Sequence, residues 1–272
     1  MPRESAPGGG GDAEKAERFA RRRGTAGLIL AAGKGTRFAS ESAVKLPKVL
    51  QPLLGRPMIL YVVEALRAAG VRDITIVIGC QAEAVAAALG DRFDYVVQRE
   101  QKGSGHAVMC ASDRFRGFEG LLVVMCGDSP LFRAQTVRAM VDLQRDTQAA
   151  VVLASAVLDN PAGYGRIVRD GGGRIAAIVE EKCAGAEQRA IKEVNGGAYV
   201  FEPCWLFANV DRMAQNEVGE YNLTDMVRVA AEQGRLVQTV PCDPVEILGV
   251  NTPEELRAAE AVLRRRASRG PG

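Results

Sequence analysis

Short unbroken apolar runs alternate with longer stretches in which apolar residues recur at helical spacing. Leu28–Ala31, Asp73–Gly79 with Ile74, Ile76, Val77 and Ile78, Phe93–Val97 and Leu121–Met125 are runs of strand length. Alternating with helices, they read as strands of a parallel sheet with helices on both faces. Between them, Met58, Leu60, Tyr61, Val63, Leu66 and Ala69 lie on one face of a helix over 57–69, and 82–89, 104–115 and 134–145 are read as helices too, Ser104 capping the third. After residue 149 the pattern changes to strands at 149–157, 166–168, 174–179, 194–201, 237–240 and 245–250. Asp170-Gly171-Gly172-Gly173 predicts a hairpin turn, and Thr224 caps a helix reaching Glu232. A closing helix over 253–266 carries Pro253 in its first turn. The expected class is α/β: a mixed, mostly parallel sheet with helices on both faces, plus a smaller antiparallel lobe.

Residues 1–24 stand apart, with glycines at 8–11, charges at 12–17 and arginines at 21–23. They are expected to form a flexible, solvated leader, and 267–272 a frayed tail. The remainder divides into a first part (25–148), a second (149–245) and a return segment (246–266). With 272 residues, 47% hydrophobic and 25% charged, the chain has the composition of a globular protein, and a net charge of +2 excludes a strong general field for nucleic acid or membrane. No apolar run approaches the roughly 20 residues of a membrane helix, and no signal core opens the chain, so a cytoplasmic protein is expected. The six cysteines form no C-x-x-C pair and read as reduced, mostly buried thiols.

The chemistry begins where the first strand ends. Leu30-Ala31-Ala32-Gly33-Lys34-Gly35-Thr36-Arg37 runs from an apolar strand into small residues and closes on a basic one; Lys48 follows in Leu46-Pro47-Lys48. Glycines let backbone N–H groups approach phosphate oxygens, and arginine adds a permanently charged fork. The spacing matches neither the P-loop nor the dinucleotide fingerprint, but it suits a nucleoside triphosphate. Asp128 follows the strand ending at Cys126, and Asn251 follows Val250. A carboxylate at a strand end beside a phosphate loop suits Mg²⁺, which takes one or two protein oxygens. Alone, Asp128 also reads as a turn former before Pro130, and Asn251 as a helix cap near Pro253. Gln98 offers donor and acceptor to a pyrimidine edge, and Gly103 and Gly105 permit close approach of a base. His106, the only histidine, reads as structural, because a phosphate oxygen needs no general base to act as nucleophile.

These strings occur in order with Gly103-Ser104-Gly105-His106-Ala107, Gly127-Asp128-Ser129-Pro130-Leu131, Gly163-Tyr164-Gly165-Arg166-Ile167, Gly219-Glu220-Tyr221-Asn222-Leu223-Thr224-Asp225 and Gly249-Val250-Asn251. Together, over about residues 26–265, they resemble the uridylyltransferase domain of the bacterial N-acetylglucosamine-1-phosphate uridylyltransferases, nucleotidyltransferases of Rossmann-like fold. The resemblance implies transfer of UMP from UTP to N-acetylglucosamine 1-phosphate. It implies that Arg37 and Lys48 act on the phosphates, and that Leu30, Ala31, Gly33, Gly35, Thr36, Gln98, Gln101, Gly103 and Ser104 bind the nucleotide. Gly165, Glu180 and Asn195 would hold the sugar, and Asp128 and Asn251 would hold Mg²⁺. Implied partners are UTP and a sugar 1-phosphate, without nucleic acid or membrane, in a monomer or small homo-oligomer. Bifunctional members continue into a β-helical acetyltransferase domain. No hexapeptide array occurs here, so neither acetyl transfer nor a coenzyme A site is expected. Three positions depart from the pattern, namely Cys126, Gly196 and Asn222, and Lys45 lies close enough to compete for the role of Lys48. Another sugar phosphate or triphosphate, and a non-catalytic sugar-nucleotide regulator, remain as alternatives.

Overall fold

The computed structural model describes residues 24–33, 35, 38 and 46–268. Residues 1–23 of the expected leader, Thr36, Arg37 and Lys45 lie outside the described residues, as do 269–272. Strand β1 (Thr25–Ala31) lies in the middle of a sheet that comprises nine strands among the described residues. On one side it pairs in parallel with β4 (Asp73–Ile78), which pairs in parallel with β5 (Asp94–Val97). On the other side it pairs in parallel with β6 (Leu121–Cys126). Beyond β6 come β10 (Glu193–Phe201), β7 (Val151–Val157) and β11 (Val237–Pro241), with β10 antiparallel to both β6 and β7. The hairpin β8 (Arg166–Arg169) and β9 (Ile175–Val179) branches from β10, so the antiparallel lobe is continuous with the main sheet. A two-residue pair, β2 (Pro52–Leu53) and β3 (Arg56–Pro57), stands apart.

Both sheet faces are covered. Leu28, Leu122, Val124, Leu153 and Phe201 point into one core; Ile29, Ile76, Val123, Met125 and Val152 point into the other. This period-two alternation within all-apolar strands is what a doubly covered sheet requires. Helices α3 (Gly103–Cys110), α6 (Pro203–Asn209) and α7 (Asp225–Glu232) contribute to the first core. Helices α1 (Ile59–Ala68), α2 (Ala82–Leu89) and α4 (Ala134–Thr147) contribute to the second. The short α5 (Ala186–Arg189) precedes β10. A third, small core joins Leu53, Met58, Leu131 and Val250 to Ala259 and Val262 of the closing helix α8 (Pro253–Ser268). No helix among the described residues is long and apolar enough to cross a membrane.

Several expectations meet corrections. Residues 245–250 form a turn and an extended loop, not a strand. Asp243 and Pro244 start the turn, Glu246 N–H donates to Asp243 O at 2.8 Å, and Ile247 and Val250 enter different cores without a strand partner. Ser104 does not cap α3, which begins one residue earlier; its Oγ accepts the Leu223 N–H at 3.0 Å. Thr224 precedes α7 but donates its hydroxyl to Glu180 Oε1 at 2.9 Å. The cysteines are free, yet Cys80, Cys183 and Cys204 are exposed, because they sit at element ends and in loops rather than in strand interiors. The hairpin turn is as expected, with Asp170 Oδ1 accepting the N–H groups of Gly172 and Arg174 at 2.9 Å each.

Candidate active site

Strands β1, β4, β5, β6, β7 and β11 run in one direction, so their carboxyl ends share one edge. The chain leaves β1 for β4 on one side and later returns to β6 on the other. Ligands of open α/β sheets sit at such a reversal. A cavity of about 350 Å³ lies there, and Leu30, Ala31, Gly33, Lys48, Gln98, Gln101, Gly103, Ser104 and Asp128 line it. Gly35 (φ +59°) backs onto Lys48, where a Cβ would meet the Lys48 Cβ at 2.8 Å.

Lys48 reaches two distant segments at once. Its Nζ pairs with Asp128 Oδ2 and donates to Asn251 Oδ1 at 2.6 Å. Two hard oxygen donors thus converge on one cation, a donor set that suits a small divalent ion. Among the described residues no cluster of three or more His, Cys, Asp or Glu side chains competes as a metal site. The pair joins the middle of the domain to its return segment: Val250 N–H donates to Asp128 O at 2.9 Å. Asn251 is not the cap of α8. Thr252 Oγ1 accepts the Glu255 N–H at 3.2 Å, and the Glu255 carboxylate accepts the N–H groups of Asn251 (2.6 Å) and Thr252 (3.1 Å). This reciprocal cap fixes the Asn251 backbone and leaves its amide to Lys48.

Glu246 anchors the same return segment from beneath. It is buried at 3% exposure, and its carboxylate accepts the Arg133 N–H at 2.9 Å and the Thr136 hydroxyl at 2.7 Å, at the N-terminus of α4. Losing two charge-assisted bonds, Glu246→Ala should lower stability by about 3 kcal/mol in urea unfolding. It should also reduce turnover, because the loop carrying Asn251 loses its anchor.

Gln98 and α3 hold another part of the cavity wall. Gln98 is 3% exposed, and its Nε2 meets Gly103 O at 3.1 Å and His106 Nδ1 at 3.0 Å. Gln101 Nε2 donates to Gln98 O at 3.1 Å. The expected sugar residues gather separately: Asn195 N–H donates to Gly165 O at 2.8 Å, and a Cβ on Gly165 would lie 3.6 Å from both Glu180 carboxylate oxygens. Arg166, fully buried, donates to Glu181 Oε2 at 2.6 Å and holds that carboxyl below the usual carboxylate range, helped by the Gly163 N–H. Gly196 cannot carry a side chain where it lies: a Cβ would meet Ala154 O at 2.9 Å.

Tyr199, Cys126 and Glu220 carry no sequence signal beyond strand alternation or membership of a motif. The Tyr199 hydroxyl accepts from Asn195 Nδ2 at 2.7 Å, and burial raises its pKa. Burial, with Asp128 adding, pushes the Cys126 thiol up to about 12, so it is protonated at neutral pH and no nucleophile. Glu220 lines the cavity.

A family model described as nucleotidyl transferase matches residues 26–243. The chain belongs to the nucleotidyl transferase family. It is 44% identical over 248 residues to the bifunctional protein GlmU of Geobacter metallireducens, covering 90% of this chain and 51% of that protein. With the bifunctional protein GlmU of Geobacillus sp. the identity is 41%, covering 89% and 52%. The chain thus spans about half the length of the curated relatives it matches. These matches bear out the resemblance carried by the ordered motifs. A putative glucose-1-phosphate thymidylyltransferase from Bacillus anthracis, solved with a sucrose, superposes with a TM-score of 0.72 at 23% identity, over 88% of this chain and 95% of the other. That likeness establishes the fold.

Proposed function

We propose that the chain transfers UMP from UTP to N-acetylglucosamine 1-phosphate and releases pyrophosphate. The convergence of Lys48, Asp128 and Asn251 beside a cavity that Lys48, Asp128 and Gln98 line carries this reading. In it, residues 25–148 bind the nucleotide, 149–245 bind the sugar and 246–266 complete the core. Asp128 and Asn251 would hold Mg²⁺, which supplies shielding of phosphate charge. Lys48, with Arg37, neutralises charge on the triphosphate and on the leaving pyrophosphate. Backbone groups at Ala31 and Gly33, with Gln98, Gln101, Gly103 and Ser104, orient the uridine. Gly165, Glu180 and Asn195 orient the amino sugar so that its phosphate oxygen attacks the α-phosphorus in line. That oxygen is already ionised, so no side chain need remove a proton, and catalysis is positioning plus charge neutralisation.

The test mixes protein, UTP and Mg²⁺ with N-acetylglucosamine 1-phosphate or glucose 1-phosphate and follows pyrophosphate release. Selective release with the amino sugar is expected. Release only with another sugar phosphate keeps nucleotidyl transfer and discards this acceptor. Silence across a panel of sugar phosphates and triphosphates overturns the reading.

A further inference from the structure

Gln98 can recognise a base in two opposite ways, depending on which end of its amide faces the cavity. The oxygen accepts a hydrogen bond, as the N3–H of uracil or thymine offers; the nitrogen donates one, as N3 of cytosine requires. The structure resolves the choice. The amide atom facing Gly103 O at 3.1 Å has a carbonyl opposite it, so it is the nitrogen. Its second hydrogen points at His106 Nδ1, 3.0 Å away. Both hydrogens are thereby committed, and among the described residues no hydrogen bond reaches Oε1, in a side chain that lines the cavity.

His106 can serve in this way only if Nδ1 is the unprotonated nitrogen. The proton then sits on Nε2, which faces Cys110 Sγ at 3.9 Å. The ring is held in place by stacking on Tyr221, with centroids 6.3 Å apart and planes 26° from parallel. Tyr221 is itself fastened to α3 and the loop before it, accepting the Gly105 N–H and donating to Lys102 O at 2.8 Å each. Two acceptors on the α3 segment, one backbone and one side chain, therefore set the polarity of a buried amide at the exit of β5, the strand before it.

We propose that His106 is a positioning residue for base selection: acting through Gln98 it keeps an acceptor turned to the cavity, favouring uracil-type over cytosine-type nucleotides. The proposal rests on the uridine reading of this cavity. It makes no use of His106 as a base, and it places the residue out of contact with the reacting phosphates.

The experiment compares kcat/KM for UTP and CTP in the wild type and in His106→Phe, which keeps a ring on Tyr221 but offers no acceptor. His106→Leu is a second acceptor-free variant, and His106→Asn restores an acceptor near the position of Nδ1. With one of two anchors lost, the UTP:CTP preference should fall about tenfold, the worth of one hydrogen bond. The change should lie in KM for UTP more than in kcat, and His106→Asn should recover most of the preference. Unchanged preference in both acceptor-free variants overturns the proposal. So does an equal loss for both nucleotides, or a loss that His106→Asn shares, since these mark a purely structural residue. A wild type that ignores UTP fails at the earlier step and removes the uridine reading itself, a result distinguishable because no variant is needed to see it.

Discussion

Replacing Lys48 by alanine is expected to lower kcat/KM for nucleotidyl transfer by about 10² to 10³, the usual loss when one preorganised charge donor is removed from a transition state. Among the described residues lining the cavity, Lys48 is the only cation, and its side chain is 14% exposed. Its ammonium therefore acts where water is scarce and each charge counts for more than at the surface. The fold should survive, because Asp128 keeps 26% exposure and water can take over from the lost partner. A partly solvated pair of this kind contributes about 1 kcal/mol or less to stability. Pyrophosphate release measured beside a thermal melt separates the two effects. Retained turnover in a folded Lys48→Ala protein would move the phosphate role to Arg37 or Lys45.

Gly103→Ala should damage both stability and nucleotide binding. Gly103 has φ +91°, a left-handed conformation, and a Cβ there would fall 2.4 Å from Tyr221 O. That carbonyl cannot retreat freely, since it accepts the Gly105 N–H at 2.8 Å, and the Tyr221 N–H is bonded to Lys102 O. Backbone strain and overpacking together should cost about 3 kcal/mol. For a domain of this size that is a melting temperature lower by about 10 °C. The displaced wall carries Glu220, and Gly103 O is an anchor of Gln98, so KM for UTP should rise as well. A melt and a KM matching the wild type would show that the 220–221 segment gives way without cost.

The parallel half of the sheet was legible because its strands are buried on both faces. In Leu28–Ala31 and Leu121–Met125 no polar residue interrupts the run, and that is visible without a structure. The run at 245–250 shares their Val, Ile and Leu, but Glu246 and Gly249 interrupt it and no neighbouring strand pairs with it, so Ile247 and Val250 became plugs in two cores. Composition reports burial, whereas pairing depends on what lies alongside. The side-chain duties of Ser104 and Thr224 were hidden for a related reason. Local capping is the default for these residues, but their hydroxyls are used 119 and 44 residues away, at Leu223 and Glu180. The site residues that line the cavity were named by their motifs, yet the meeting of Lys48 with Asp128 and Asn251, 80 and 203 positions distant, belongs to the fold alone. Tyr199 stayed hidden because an inward-facing strand residue looks the same whether it fills space or holds Asn195.

The bond from Val250 to Asp128, and the closing helix that braces Leu131 through Arg266 Nη1 at 2.6 Å, set an order on biosynthesis. A chain is made from its N-terminus, and the last strand of the sheet is complete at Pro241. At that moment the strands that carry Asp128 and Gln98 are complete, while the segment that carries Asn251 has still to dock. A nascent chain can therefore assemble most of its sheet before the segment 243–268 docks against Asp128 and Leu131.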